Sequence, residues 1–272
     1  MTRLKHLAFA LALVVALAAP AAASADHNGN PIHPGVQTVT GGGQCTSNFV
    51  FRDSGGTYLG QAAHCSSTGA QTDTNGCTSG SLPLGTPVEV TGATRPGTLV
   101  YNSWLTMQQN GESNPDTCAY NDLALVKIDP ADVPNVSPTV PGFGGPPGVG
   151  PSSAMLGDTV YTYGNSSLRG GVPQLRPKQG VVVQSQGNGW SRTVYTVTPG
   201  IPGDSGSGFL SGSGEAIGVL STLAVAPVAG SNGVGDLRKE LTYAQGHGFA
   251  GLQLVPGTKP FRPDLVQAIL GD

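Results

Sequence analysis

The chain has 272 residues and a formal net charge of -3, and only 11% of its residues are charged. Its 42 glycines and 22 prolines follow no collagen-like period, a composition typical of short strands joined by turns. Because the chain after residue 25 contains no cluster of lysine or arginine, it offers no basic surface for phosphates, and we expect no nucleic-acid partner.

Residues 1–25 have the pattern of a secretory signal peptide. A short basic region, 2–6, precedes an unbroken apolar run from Leu7 to Ala19, and Ala23-Ser24-Ala25 supplies the small residues that a signal peptidase needs. We predict cleavage before Asp26 and a secreted, extracellular protein. A membrane anchor is the alternative, but the apolar run is shorter than the roughly 20 residues that a spanning helix requires, so we expect no membrane contact after cleavage.

Beyond the signal, short runs of Val, Tyr, Leu and Thr are interrupted by Gly, Pro, Asn and Ser, which predicts an all-β fold. The strands predicted in the first half are Phe49–Arg52, Tyr58–Ala62, Pro87–Thr91, Thr98–Leu105 and Leu123–Ile128. A proline-rich connection follows at 129–151. The strands predicted in the second half are Thr159–Tyr163, Gly180–Gln184, Thr193–Val197 and Ala216–Leu223, and short helices are predicted at 236–245 and 263–270.

The four cysteines, Cys45, Cys65, Cys77 and Cys118, lie in the first half of an exported chain and predict two disulfides. Three pairings are possible. A Cys45–Cys65 bond would close a short loop beside His64, worth about 3 kcal/mol in chain entropy, and Cys77–Cys118 would tie down the segment before Asp122. A zinc site is the competing interpretation, which the lack of a CxxC pair and of a second nearby histidine disfavours.

Three motifs in chain order carry the chemistry: Ala62-Ala63-His64-Cys65, Asn121-Asp122-Leu123-Ala124-Leu125 and Gly203-Asp204-Ser205-Gly206-Ser207-Gly208. A serine hydroxyl becomes a nucleophile when an imidazole takes its proton and a carboxylate holds that imidazole in the right tautomer. His64, Asp122 and Ser205 supply these groups. Each motif alone has an ordinary structural explanation, but their occurrence together in the order His, Asp, Ser makes chance a poor account.

From Gln44 to Leu223 the sequence resembles the secreted bacterial chymotrypsin-like serine proteases. The resemblance implies two six-stranded antiparallel β-barrels with the active site between them: a lead-in at 26–40, a first barrel at 41–140 with His64 and Asp122, and a second barrel at 141–272 with Ser205 and C-terminal helices. It also implies that His64 is the general base, Asp122 its orienting carboxylate and Ser205 the nucleophile.

The same resemblance implies further site residues. The backbone N–H groups of Gly203 and Ser205 would form an oxyanion hole, and Ser221 would lie beneath the triad aspartate. Pro199, six residues before the nucleophile, would line the floor of the primary specificity pocket, so we expect no requirement for a basic residue before the scissile bond. Leu223 would narrow that pocket. Asp204 pairs with a positive group in relatives, and the sequence names no partner for it here.

Two segments imitate functional motifs. Asp53-Ser54-Gly55-Gly56 resembles a nucleophile turn, but it joins two predicted strands just before His64 and is predicted to be a hairpin loop. Val39-Thr40-Gly41-Gly42 resembles the N-terminus that many animal relatives expose on activation, but it lies too close to Cys45 and is predicted to be a turn.

These observations predict a monomeric serine endopeptidase that acts on protein or peptide substrates without a metal or organic cofactor. An esterase with the same triad is the nearest alternative, distinguished by turnover of simple esters alone. A non-catalytic secreted binding protein on the same fold is the alternative from another class, distinguished by failure of a fluorophosphonate to label Ser205.

Overall fold

The computed structural model describes residues 30–70, 72–152, 156–223 and 229–271, so the predicted signal peptide lies outside the described residues. These residues form mostly antiparallel β-structure with a few short helices, as the composition predicts. No helix among them is long and apolar enough to cross a membrane.

The elements are numbered in chain order. The strands of the first half are β1 (Gln37–Thr40), β2 (Gly43–Thr46), β3 (Val50–Asp53), β4 (Gly56–Ala62), β5 (Pro87–Val90), β6 (Gly97–Asn102) and β7 (Leu123–Lys127). Those of the second half are β8 (Thr159–Tyr163), β9 (Pro177–Gln186), β10 (Ser191–Thr196), β11 (Gly208–Ser211), β12 (Ala216–Leu223), β13 (Asn232–Asp236) and β14 (Gln253–Leu254). The α-helices are α1 (Ser103–Gln109), α2 (Pro115–Tyr120), α3 (Leu237–Gly246) and α4 (Leu265–Leu270).

The second half closes into the predicted six-stranded barrel, in the order β10-β13-β12-β11-β8-β9. In the first half, the strands pair as one eight-stranded sheet, in the order β14-β3-β4-β7-β6-β5-β1-β2, and not as a closed six-stranded barrel. Side chains from β3 and β5, which lie well apart in that order, share one buried cluster, so the sheet curls around its core. A larger cluster joins both halves through residues such as Phe49, Leu123 and Val219.

Two strands lie outside the predicted domain boundaries. The first sheet begins at Gln37, inside the segment predicted as a lead-in, and β14 returns from the C-terminal region to pair with β3. Pairing between strands that are far apart in the chain leaves no local signal in the sequence. The longer strands, in contrast, are recognisable from their own hydrophobic pattern.

The two segments that resemble functional motifs, 53–56 and 39–42, contain the turns of two hairpins. Ser54 and Gly55 connect β3 to β4, whose last pair is Asp53 with Gly56, which is the predicted hairpin loop. Gly41 and Gly42 form the turn between β1 and β2, and the Val39-Thr40 part of that motif belongs to β1 itself.

The prediction of strand through Leu105 is wrong, because β6 ends at Asn102 and α1 begins at Ser103. The Asn102 side chain caps this helix by accepting hydrogen bonds from the N–H groups of Trp104 and Leu105. The C-terminal helix also starts later than predicted, since Asp264 caps it and Pro263 precedes the cap.

Candidate active site

His64 and Asp122 meet because the strands that carry them are neighbours. His64 lies in a 3₁₀ turn that directly follows β4, and Asp122 directly precedes β7, which pairs with β4 through Ala62 and Leu123. The His64 Nδ1 lies 2.7 Å from Asp122 Oδ2, and the backbone N–H of His64 donates to Oδ1 over 2.9 Å. The carboxylate therefore fixes both the ring and the backbone of the histidine.

The electrostatics of this pair favour a basic imidazole. Burial of the ring lowers the pKa of His64, but the negative charge of Asp122 and its hydrogen bond outweigh burial, so the pKa lies above the ordinary value for histidine. The side chain of Asp122 is only 4% exposed and that of His64 is 25% exposed. A buried carboxylate is thus bonded to an imidazole that is partly exposed to solvent.

Ser221, near the end of β12, also binds Asp122. Its hydroxyl donates to Asp122 Oδ2 over 2.5 Å, so one carboxylate oxygen accepts from both Ser221 and His64. Ser221 therefore contacts the aspartate as the sequence resemblance implies, and it connects the second barrel to the carboxylate in the first sheet.

The turn that carries Ser205 packs against the strand that leads to His64. The backbone N–H of Thr46 donates to the Ser205 carbonyl over 2.8 Å, and the Cys45–Cys65 disulfide joins the residue before Thr46 to the residue after His64. A side chain at Gly206 would come within 2.8 Å of the Ala62 nitrogen, so only glycine allows this approach. Within the described residues, the Ser205 hydroxyl has no hydrogen-bond partner.

Gly203 gives the turn before Ser205 its shape. Its φ is +93°, in the region that favours glycine, and its carbonyl accepts hydrogen bonds from Gln44 Nε2 and Thr46 Oγ1 over 2.9 Å and 2.7 Å. The N–H groups of Gly203 and Ser205 donate to no acceptor in the described part of the chain. Such unpaired N–H groups beside a serine hydroxyl can bind a developing oxyanion.

Asp204 is fully buried and has two cationic partners that the sequence did not reveal. Its Oδ2 lies 3.0 Å from Arg169 Nη2 and 3.5 Å from Lys178 Nζ, and its carboxylate also accepts from the N–H groups of Ser166 and Ile201. Burial lowers the pKa of Lys178 to about 8; the Arg169 charge also lowers it, and Asp204 raises it. These contacts hold the peptide unit between the two unpaired N–H groups.

Comparison with solved structures identifies the architecture. Thermobifida fusca protease A matches with a TM-score of 0.53 and 21% identity, over 83% of this chain and 99% of that one. Cellulomonas bogoriensis chymotrypsin matches with a TM-score of 0.50 and 18% identity, over 82% of this chain and 98% of that one. A glutamic acid-specific serine protease, described as using a histidine triad in substrate binding, matches with a TM-score of 0.50 and 20% identity, over 82% and 100%.

This chain has the chymotrypsin-like fold. No family model and no curated protein sequence matches it, so the relationship rests on structure. His64 and Asp122 lie at the ends of strands of the first sheet, and Ser205 lies just before β11 of the closed barrel.

The disulfides belong to this framework. The structure contains Cys45–Cys65 and Cys77–Cys118, which are the two pairings that the sequence favoured. Among the described residues, the one group that resembles a metal site is Cys45, His64 and Cys65, whose ligand atoms lie within 4.8 Å of one another. Because both sulfurs are in a disulfide, neither can act as the thiolate that zinc needs.

Both residues implied for specificity are exposed in the structure. Pro199 is exposed, and its carbonyl accepts from Arg169, while Leu223 is 42% exposed at the end of β12. Asn232, which the sequence did not single out, is fully buried and bonds both the N–H and the carbonyl of Gly200, over 2.8 Å and 3.0 Å. Its amide also donates to the carbonyl of Thr222, so it joins the segment before the nucleophile to β12.

Proposed function

We propose that this protein is a serine endopeptidase in which His64, Asp122 and Ser205 form the catalytic triad. The observation that carries the proposal is the His64–Asp122 bond of 2.7 Å, together with the packing of the Ser205 turn against Thr46 and Ala62, the latter at the end of the strand that leads to His64. The chymotrypsin-like fold adds support, because the solved structures that it resembles include serine proteases.

In the proposed mechanism, His64 Nε2 takes the proton of the Ser205 hydroxyl as its oxygen attacks the carbonyl carbon of the scissile bond. The N–H groups of Gly203 and Ser205 stabilise the negative oxygen, and Asp122 stabilises the positive imidazole. His64 then gives the proton to the leaving amine, which leaves an acyl ester on Ser205. A water molecule, activated by His64 in the same way, hydrolyses this ester and restores the serine.

The test is covalent labelling of the secreted protein with a fluorophosphonate, located by peptide mapping. We expect labelling of Ser205, none in Ser205→Ala, and a rate that falls strongly in His64→Ala. Ser207→Ala is the matched control, because Ser207 lies two residues away and is buried within the barrel. Absence of label on the wild-type protein would refute the catalytic proposal and favour the binding-protein alternative.

A second assay separates the peptidase from the esterase. A folded protein substrate and a simple ester are offered to the same preparation, and an endopeptidase cleaves both. Turnover of the ester alone would favour the esterase, since the triad attacks either carbonyl but only an endopeptidase also binds an extended polypeptide.

We also propose that cleavage requires no basic residue before the scissile bond. Pro199 takes the sequence position where a carboxylate would be needed, and the nearby Asp204 carboxylate is already matched by Arg169 and Lys178. Leu223, by its position in the resemblance, would narrow the pocket toward small or medium apolar side chains. A peptide panel that varies only this residue tests the proposal, and a strong preference for Arg or Lys would contradict it.

The proposed site of action is extracellular, with a protein or peptide as the substrate. Two disulfides support an oxidising compartment, and the predicted signal peptide supports export. Detection of the mature protein in culture medium, with Asp26 as its first residue, tests both points.

A further inference from the structure

Glu240 is a fully buried acid that reaches the back of the candidate triad. It lies on α3, and its Oε1 accepts a hydrogen bond from the backbone N–H of Asp122 over 3.0 Å. A side chain at Gly235 would come within 2.5 Å of this same oxygen, so the glycine leaves the space that the carboxyl group occupies. The packing of β13 therefore accommodates a group that touches the aspartate.

The contact completes the set of bonds that fix Asp122. Its carboxylate accepts from the backbone and ring of His64 and from Ser221, and its carbonyl accepts from Ala63 over 2.8 Å. The remaining polar group of Asp122 is the N–H that donates to Glu240. Because a buried N–H without an acceptor is costly, loss of Glu240 would favour a rotation of this peptide and of the carboxylate beyond it.

Among the described residues, no free cation faces Glu240. The groups that face it are Asp122, Asp236, Tyr101 and Arg192, and the Arg192 guanidinium already binds Asp236 and the Ile217 carbonyl. Burial raises the pKa of Glu240 well above its ordinary value; the Asp122 N–H and Arg192 oppose this, and the charges of Asp122 and Asp236 add to it. Full burial without a cation of its own therefore favours the protonated form of Glu240.

We propose that Glu240 is a positioning residue, whose carboxyl group holds the Asp122 backbone N–H and thereby directs the Asp122 carboxylate at His64. The inference rests on the proposed peptidase function. An uncharged acceptor suits this place because it fixes the peptide without adding a second negative charge beside Asp122. Such a charge would strengthen proton binding by His64 and leave less of the free base near neutral pH.

The test compares Glu240→Gln, which keeps a neutral acceptor, with Glu240→Leu, which keeps the bulk alone. We expect Glu240→Gln to retain kcat/KM within about twofold, with an unchanged acid limb in its pH profile. Glu240→Leu is expected to lose about tenfold or more in kcat with little change in KM, because small misplacements of a catalytic group are costly. Its acid limb should move to lower pH, because the weaker Asp122 contact lowers the pKa of His64.

Leu241→Ala is the matched control, because Leu241 is a buried neighbour on α3 that packs in the apolar core. It should lower stability while leaving kcat and the acid limb unchanged, which separates positioning from general destabilisation. An unchanged kcat and acid limb in Glu240→Leu would overturn the inference. So would an acid limb that falls by about half a unit or more in Glu240→Gln, since that would show the loss of a negative charge.

Two further measurements keep these outcomes separate. If Glu240→Leu does not fold, the Glu240→Gln pH profile still decides whether the acid is charged, and rescue of folding by Gln shows that the acceptor is what matters. Fluorophosphonate labelling of the wild-type protein tests the proposed function by itself. The pKa of His64, followed by NMR in the wild type and in Glu240→Gln, tests the inference without any turnover.

Discussion

Replacing Arg169 by methionine tests whether the ion pair behind Ser205 holds the nucleophile turn in place. The Arg169 side chain is 10% exposed and Asp204 is fully buried, so the substitution removes one partner of a desolvated pair. Breaking such a pair costs about 3–5 kcal/mol. Lys178 remains 3.5 Å from the carboxylate, and loss of the Arg169 charge raises the pKa of Lys178, so we expect the lower end of that range, about 3 kcal/mol.

The matched control is Arg95→Met, which removes the same type of group from an exposed pair. Arg95 lies 3.7 Å from Asp129 and is 65% exposed, and pairs of this kind contribute roughly 0–1 kcal/mol. Urea unfolding at pH 7 gives both free energies. We also expect Arg169→Met to slow fluorophosphonate labelling of Ser205, whereas Arg95→Met leaves it unchanged. Equal free-energy losses in the two variants, or an unchanged labelling rate in Arg169→Met, would refute this reasoning.

Three more variants test the site. Gly203→Ala places a methyl group 2.4 Å from Gln44 Oε1 at a φ of +93°, so kcat should fall by about 10² to 10³ as one oxyanion donor turns away, measured by steady-state turnover. Ser221→Ala removes a hydrogen bond to the Asp122 carboxylate, so kcat should fall about tenfold and the acid limb should move to higher pH as His64 binds its proton more tightly. Glu240→Gln should match wild-type stability at pH 4 but exceed it increasingly at higher pH. The reason is that the pKa of Glu240 is raised in the folded state, so its protonation stabilises the folded wild type fully at a pH below the ordinary glutamate pKa of 4.5. This stabilisation is lost as the pH rises through the folded-state pKa. Urea unfolding at pH 4 and pH 7 checks the prediction.

The sequence predicted those parts of the structure that have local causes. Runs of Val, Tyr, Leu and Thr between turn residues predicted β4, β7, β8 and β12 closely, because each strand buries at least one face. Ser103–Leu105 were mistaken for strand because their pattern continues that of β6, and only the Asn102 side chain decides the change to helix.

The candidate site was predictable to the extent that its chemistry lies in short motifs. His64, Asp122 and Ser205 were found because nucleophilic catalysis needs these residue types in recognisable surroundings. The partners of Asp204 were not found, because Arg169 lies 35 residues away and Lys178 occupies a strand position where a lysine is normally exposed. Glu240 was missed for a similar reason, since an acid within an amphipathic helix is usually part of its solvent face.

The ion pair at Asp204 also bears on how the active conformation is reached. The segment 39–42 resembles the activation terminus of animal relatives, but it forms the end of β1 and a turn, and so offers no free amino group. The charge of Asp204 is instead matched by side chains from the connection after β8 and from β9, within the same barrel as Ser205. An activation terminus must first be released by cleavage and must then move into place. Arg169 and Lys178, in contrast, contact Asp204 once the barrel has folded. Within the described residues, the charge behind the Ser205 turn is therefore matched by side chains of its own barrel rather than by an amino terminus.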